Sequence, residues 1–274
     1  MSEVNTNDND AVDDDAPESA SEISMSFVMH LEELRSRMIK CAIAVAVGFV
    51  VCYAFKEKVL EWLMQPLLQS LPAGQSQKLI YTSPAEAFFT YLKVSFIGGA
   101  MLAVPVMFYQ LWRFIAPGLY STEKRYVLPI VFLSTFFFVG GALFGYFFVF
   151  PTGFQFFTSF ANEYIAPLIT TKEYLSFILQ LLLGFGVIFE MPIFVFFLAK
   201  LGIVSAQFLK KQRRYAIIII FIIAAALTPG PDIFSQIMMA APMLVLYEVS
   251  VWIAYVFGRK KSEEDAAETA LAKS

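Results

Sequence analysis

The sequence has little of the polar surface that a water-soluble domain needs: only 16% of its 274 residues are charged, where soluble domains carry roughly a quarter. It contains one histidine, His30, and two cysteines, Cys41 and Cys52. The cysteines share one apolar segment and are eleven positions apart, too far for a disulfide within a straight helix. With a single histidine they cannot make a four-ligand zinc site. A disulfide framework and a structural metal are excluded, and no cofactor is expected. The N-terminus lacks a basic segment followed by an apolar one, so no cleavable export signal is expected. No Walker A, nucleophile-elbow, HExxH or GxGxxG pattern occurs, which argues against an ATP-driven pump and against a serine or zinc hydrolase within the membrane. No internal repeat is found, which weakens an inverted-repeat transporter reading.

What is present is apolar. Hydrophobic residues make up 58% and aromatics 16% of the chain, and the mean hydropathy is +0.65, which marks an all-α polytopic membrane protein. The net charge of −3 conceals an asymmetry: residues 1–22 hold eight acids and no Lys or Arg, so the remainder sets 20 basic residues against 15 acids. The first 25 residues read as an acidic, disordered cytoplasmic tail, 26–258 as the membrane domain and 259–274 as a C-terminal tail. Nothing in this balance suggests a nucleic-acid partner.

Apolar stretches fall at 38–55, 87–115, 126–150, 174–199 and 233–257, with a shorter one at 215–227, giving six candidate spans. The fifth is 13 residues long and reaches only about 20 Å, against the ~30 Å of hydrocarbon. Alternate sides carry fifteen and five basic residues, which places both termini in the cytoplasm and favours an even number of spans. The first connection on the outer side is broken by Pro66, Pro72, Gly74 and Pro84 and has room for an amphipathic helix over 58–68. The last, Thr228-Pro-Gly-Pro-Asp232, has the chemistry of a tight reversal.

Four groups of residues bear on function. Glu33 and Arg37 are i,i+4 partners beside an apolar stripe just before the first span; they read either as an anchor or as a carboxylate held at the membrane edge for a cationic ligand. Glu123 follows a Ser121/Thr122 cap early in a helix. Trp112, Tyr109 and Tyr120 read as an interfacial aromatic belt. Glu190 lies deep in the fourth span beside Pro192, where a carboxyl is a functional candidate by default or else a neutral acid bonded to backbone freed by the proline. Gln236 and Glu248 are weaker polar candidates in the last span. Gly141 and Gly145 form a small-xxx-small packing face.

As an ordered set, these segments resemble the TatC family, the multispanning core of the twin-arginine protein translocase. The set comprises His30-Leu-Glu-Glu-Leu-Arg35, Gln65-Pro-Leu67, Ser83-Pro-Ala85, Gln110-Leu-Trp-Arg-Phe-Ile-Ala-Pro-Gly-Leu-Tyr120 with Glu123-Lys-Arg125, Tyr146-Phe-Phe-Val-Phe-Pro151, Tyr174-Leu-Ser-Phe177, Phe185-Gly-Val-Ile-Phe-Glu-Met-Pro192 and Leu227-Thr-Pro-Gly-Pro-Asp-Ile-Phe-Ser-Gln236. The resemblance implies six helices in a concave, tilted bundle of the bacterial inner membrane, with short fifth and sixth helices. It implies recognition of twin-arginine signal peptides of folded precursors by Glu33 and Glu123, with Arg35, Phe114, Lys124 and Arg125 on the same surface. Glu190, with Gln236 as a further polar position, corresponds to docking of single-span TatA- and TatB-type partners. The implied complex is homo-oligomeric, in contact with membrane lipid, powered by the proton motive force and not an enzyme. The turn 228–232 is one residue longer than the family's common form. The alternative is a proton- or ion-coupled small-solute transporter, which would also bury an acid such as Glu190.

Overall fold

The computed structural model describes residues 16–70, 79–115, 127–160, 162, 164, 169–228 and 233–258, with the backbone alone for 16–30, 69 and 70. Ten α-helices account for nearly all of them: α1 (Ala16–Ala54), α2 (Lys56–Ser70), α3 (Pro84–Ile115), α4 (Val127–Phe144), α5 (Phe150–Thr158), α6 (Thr171–Phe189), α7 (Met191–Lys200), α8 (Ala206–Lys211), α9 (Arg213–Leu227) and α10 (Ile233–Phe257). Among the described residues there is no extended strand; Ile80 and Thr170 form an isolated parallel bridge. α1 begins at Ala16, inside the segment expected as a tail; residues 1–15 and 259–274 lie outside the described residues.

Five segments are long and apolar enough to cross a membrane: Leu31–Ala54, Pro84–Ile115, Val127–Thr158, Thr171–Lys200 and Ile233–Phe257. α9, at 15 residues, covers only about 22 Å and is shorter than the hydrocarbon layer. The third span is two helices fused through a π-helical turn, Gly145–Val149, closed by Phe150 N–H donating to the Gly145 carbonyl. The fourth is broken at Glu190, because Pro192 has no N–H to continue the helical ladder. The Glu190 amide turns instead to the Val187 carbonyl at 3.1 Å.

Burial identifies the centre of the bundle. Half of the span Thr171–Lys200 is enclosed by protein, but only 11% of Leu31–Ala54, so the α6/α7 segment is the axis and α1 is peripheral. The main core collects around Phe150, Ile178, Leu181, Phe185, Met239 and Met243, none more than 1% exposed. A second cluster joins α3, α4 and α7 through Trp112, Val131, Ile193 and Phe197. Trp112 is therefore not the belt residue expected from its position: it is 3% exposed, its ring centroid is 4.2 Å from that of Phe197, and its Nε1–H donates to Ser134 Oγ at 3.0 Å. Tyr120 lies outside the described residues.

Two close approaches rest on missing side chains. α1 crosses α3 at Gly48 and Gly99, where a Cβ on Gly48 would stand 2.4 Å from the Gly99 carbonyl oxygen and one on Gly99 would stand 2.3 Å from the Phe49 nitrogen. Gly141 brings α4 against α6, with a Cβ there 2.4 Å from the Phe185 carbonyl oxygen, as its small-residue spacing predicts.

At the end opposite Glu33, α2 forms as the amphipathic pattern suggests. Pro66 does not break it; the residue is buried inside the helix, and packing on neighbouring helices offsets its missing donor. Two buried tyrosines tie α2 down: Tyr146 donates to the Trp62 carbonyl and stacks on the Trp62 ring at 4.3 Å, and Tyr174 donates to the Leu63 carbonyl at 2.5 Å.

Candidate functional site

The first site is a polar cleft of about 380 Å³ where α1 meets the last turn of α3, lined by Glu32, Glu33, Ser36, Arg37, Lys40 and Arg113. The i,i+4 spacing in α1 puts Glu33 and Arg37 on one face, and the guanidinium donates through both Nε and Nη2 to Glu33 Oε1. Arg37 also reaches across to the C-terminal carbonyls of α3, with Nη1 3.5 Å from the Gln110 oxygen and Nη2 3.3 Å from that of Arg113. The Arg113 carbonyl, in the last turn, has no intrahelical partner, and both carbonyls sit near the negative end of the helix dipole, so a cation there is favoured. The Arg37 side chain is 12% exposed and that of Glu33 38%: the cation is the inner member of the pair and the carboxylate the outer.

Of the residues predicted to form the binding surface, Glu33 is in this cleft and Arg35 is exposed on the same turn of α1. Phe114 is half-buried at the end of α3, one residue beyond Arg113. Glu123, Lys124 and Arg125 lie outside the described residues. The structure adds Lys40 and Arg113, which the sequence counted only among the basic residues; the i,i+4 pairing already pointed to Arg37.

The second site is the break in the fourth span. Glu190 is 2% exposed, and among the described residues neither carboxyl oxygen has a hydrogen-bond partner of ordinary geometry. The Ser134 hydroxyl and the Phe138 backbone approach it without closing a bond of ordinary geometry. The reading of an acid bonded to backbone freed by Pro192 is therefore not met. Ser134 already accepts from Trp112, one residue from Arg113 of the first site, so the two sites adjoin through the end of α3. Apolar clefts flank the acid, one of about 340 Å³ along Phe136, Phe144 and Phe189 and one of about 240 Å³ along Ile130, Pro192 and Phe196. A buried carboxyl left without donors is costly, and its surroundings suit an apolar helix carrying one polar group.

Gln236 does not share this site. It stands in the first turn of α10, and its Nε2–H donates to the Phe221 carbonyl of α9 at 2.9 Å, holding the α9/α10 hairpin together. Glu248 pairs with Arg213 at 2.5 Å, with both side chains about half exposed. Residues 229–232 of the connecting turn lie outside the described residues.

The chain as a whole is similar to known proteins. Residues 29–242 match the family model described as TatC, Sec-independent protein translocase protein. The chain is 52% identical over 252 residues to the Sec-independent protein translocase protein TatC of Desulforapulum autotrophicum, covering 91% of this chain and 92% of that one. It is 44% identical to the TatC of Koribacter versatilis, covering 88% and 90%. A crystal structure of the twin arginine translocase receptor TatC superposes with a TM-score of 0.74 at 40% identity, covering 82% of this chain and 97% of that one. The match takes in both the α1/α3 cleft and the broken fourth span, and the chain belongs to the TatC family of Sec-independent protein translocase proteins, as a multi-pass, non-enzymatic component of protein transport.

Proposed function

We propose that this chain is the signal-reading subunit of a twin-arginine translocase. It binds twin-arginine signal peptides of folded precursors at the Glu33 cleft, with Glu123 supplying a second carboxylate, and assembles with TatA- and TatB-type single-span partners for export driven by the proton motive force. The observation that carries this reading is the Glu33–Arg37 pair. The cleft already seats a guanidinium on the carboxylate, in the charge-assisted geometry that a lysine reproduces only as a point charge. A signal arginine arriving there would meet the partly exposed side of Glu33, while Arg37 stays fixed to the end of α3. Partial screening limits what charge alone contributes, so contact between an apolar signal helix and the bundle supplies much of the affinity.

Glu190 serves partner docking in this scheme. Its buried oxygens, which have no hydrogen-bond partner of ordinary geometry among the described residues, and the apolar clefts beside it fit a single-span helix that brings one hydrogen-bond donor. The topology is six-spanning with both termini cytoplasmic in the bacterial inner membrane, α9 being the short fifth span; the fifteen-to-five distribution of basic residues supports it. Labelling by an impermeant thiol reagent tests this: single cysteines at 69–77 and 162–170, in a background lacking Cys41 and Cys52, should react from outside, and reaction at 210–214 from that side would refute the orientation. The functional test is a pull-down with the full-length protein in detergent, comparing a twin-arginine with a twin-lysine precursor. A clear preference for arginine is expected; equal capture overturns the proposal.

A further inference from the structure

The end of the bundle opposite Glu33 carries another polar cleft, which the proposed function does not use. Its volume is about 500 Å³, and Thr82, Glu86, Phe89, Lys93, Lys172 and Ser176 are among its lining residues, from the N-terminal ends of α3 and α6. Its frame is backbone. Ile80 bonds to both neighbours of Thr170 across the bridge, its carbonyl accepting from the Thr171 amide at 2.9 Å and its amide donating to the Ile169 carbonyl at 3.3 Å. Glu86 belongs to the frame: one carboxylate oxygen accepts from the Thr82 amide at 2.8 Å and its hydroxyl at 3.0 Å, and the other accepts from the Lys172 amide at 3.0 Å.

The lysine ammonium groups are placed differently. Among the described residues no carboxylate lies within ion-pair distance of either; the described pairs are Glu33 with Arg37 and Glu248 with Arg213. Lys93 Nζ donates to Ser176 Oγ at 2.8 Å, which uses one of its three N–H groups. Beyond Lys93 no charge occurs on α3 until Arg113, and the stretch between them is about as long as the hydrocarbon layer is thick. Lys93 therefore stands at headgroup depth in the leaflet opposite the Glu33 cleft. Phe96, three residues deeper on α3, is 54% exposed, at the depth where acyl chains begin.

Cations and hydroxyls inside, at headgroup depth, with an aromatic face at the membrane side, suit an amphiphile better than a soluble anion. We propose that this cleft binds the phosphate headgroup of an anionic phospholipid from the leaflet opposite the Glu33 cleft, with Lys93 and Lys172 holding the phosphate and Phe96 lying against an acyl chain. The occupied site would fasten the start of α3 to the start of α6.

The test is a titration of delipidated full-length protein followed by native mass spectrometry. The ligands are phosphatidylglycerol, phosphatidylcholine with the same acyl chains, and inorganic phosphate. Phosphatidylglycerol should bind one site at least about tenfold more weakly in the Lys93→Gln/Lys172→Gln variant, as expected for two lost interfacial cations. Lys93→Arg/Lys172→Arg should restore binding, and Lys56→Gln/Lys58→Gln on α2 should leave it unchanged. Unaltered binding in the first variant, equal affinity for phosphatidylcholine, or displacement by millimolar inorganic phosphate would each overturn the proposal. Photoactivatable phosphatidylglycerol on the wild-type protein gives a readout independent of variant folding: crosslinks should fall on residues 89–96 and 172–176, and crosslinks confined elsewhere refute the site.

Discussion

Replacing Gly99 with alanine should open the crossing on which the α1/α3 cleft depends. The new Cβ would meet the Phe49 nitrogen at 2.3 Å, the Gly48 carbonyl carbon at 2.6 Å and the Phe49 Cα at 2.7 Å. All three are backbone atoms, so no rotamer change relieves the clash, and restoring an ordinary contact near 3.5 Å requires about 1 Å of helix separation. Overpacking of this kind costs about 1–3 kcal/mol, and the rigid neighbours favour the upper half of that range. The bonds from Arg37 to the Gln110 and Arg113 carbonyls are already 3.5 and 3.3 Å long, so a separation of that size breaks both. Arg37 would then remain on Glu33 but lose its anchor on α3. Thermal unfolding in detergent, with twin-arginine precursor binding in parallel, measures both effects. Two controls bracket the result: a Cβ on Gly98 meets side-chain atoms alone among its nearest neighbours, the Cys52 Sγ at 3.1 Å and Cβ at 3.6 Å and a Val59 methyl at 4.0 Å, and one on Gly140 meets nothing within 4 Å. If Gly99→Ala unfolds at the same temperature as Gly140→Ala and binds precursor as the wild type does, the glycine crossing does not position the cleft.

Glu33→Ala should weaken twin-arginine precursor binding by ~1.5–3 kcal/mol at low salt and by less at high salt, as the loss of a charge-assisted bond in a screened cleft requires; salt-independent or unchanged affinity in a binding titration would show that the carboxylate only anchors α1. Glu190→Gln keeps an acceptor and should impair photocrosslinking to TatA- and TatB-type partners less than Glu190→Ala, with a coupling of about 1 kcal/mol; loss of precursor binding with intact partner crosslinks would assign the acid to the cargo path instead. Ser134→Ala strips the buried Trp112 indole of its acceptor and should destabilise the protein by about 1–3 kcal/mol; an unaltered unfolding midpoint together with unchanged tryptophan fluorescence would contradict the Trp112–Ser134 bond.

The long apolar segments, the acid deep in the fourth span and the Glu33–Arg37 pairing were legible in the sequence because each depends on local quantities: segment length, hydropathy and helical spacing. The ordered motifs identified the family before any coordinate did. Tertiary structure decided what local rules leave open. Trp112 has the address of an interfacial residue, yet it is buried, because α4 presents Ser134 as an acceptor and α7 presents Phe197 as a packing surface. Pro66 looks like a helix breaker, but the packing of α2 keeps it inside the helix. Gln236 resembles a free polar candidate, and only the antiparallel return of α9 shows that its donor is already engaged. Gly48 and Gly99 carry no local signal of contact, being 51 positions apart; their closeness exists only once α1 lies across α3. The sequence alone determined which segments are long and apolar enough to cross a membrane and which side chains carry charge along them. Which of those side chains find partners was settled by the packing of helices distant in the chain, because a hydrogen bond or a close approach depends on a second element that no local pattern specifies.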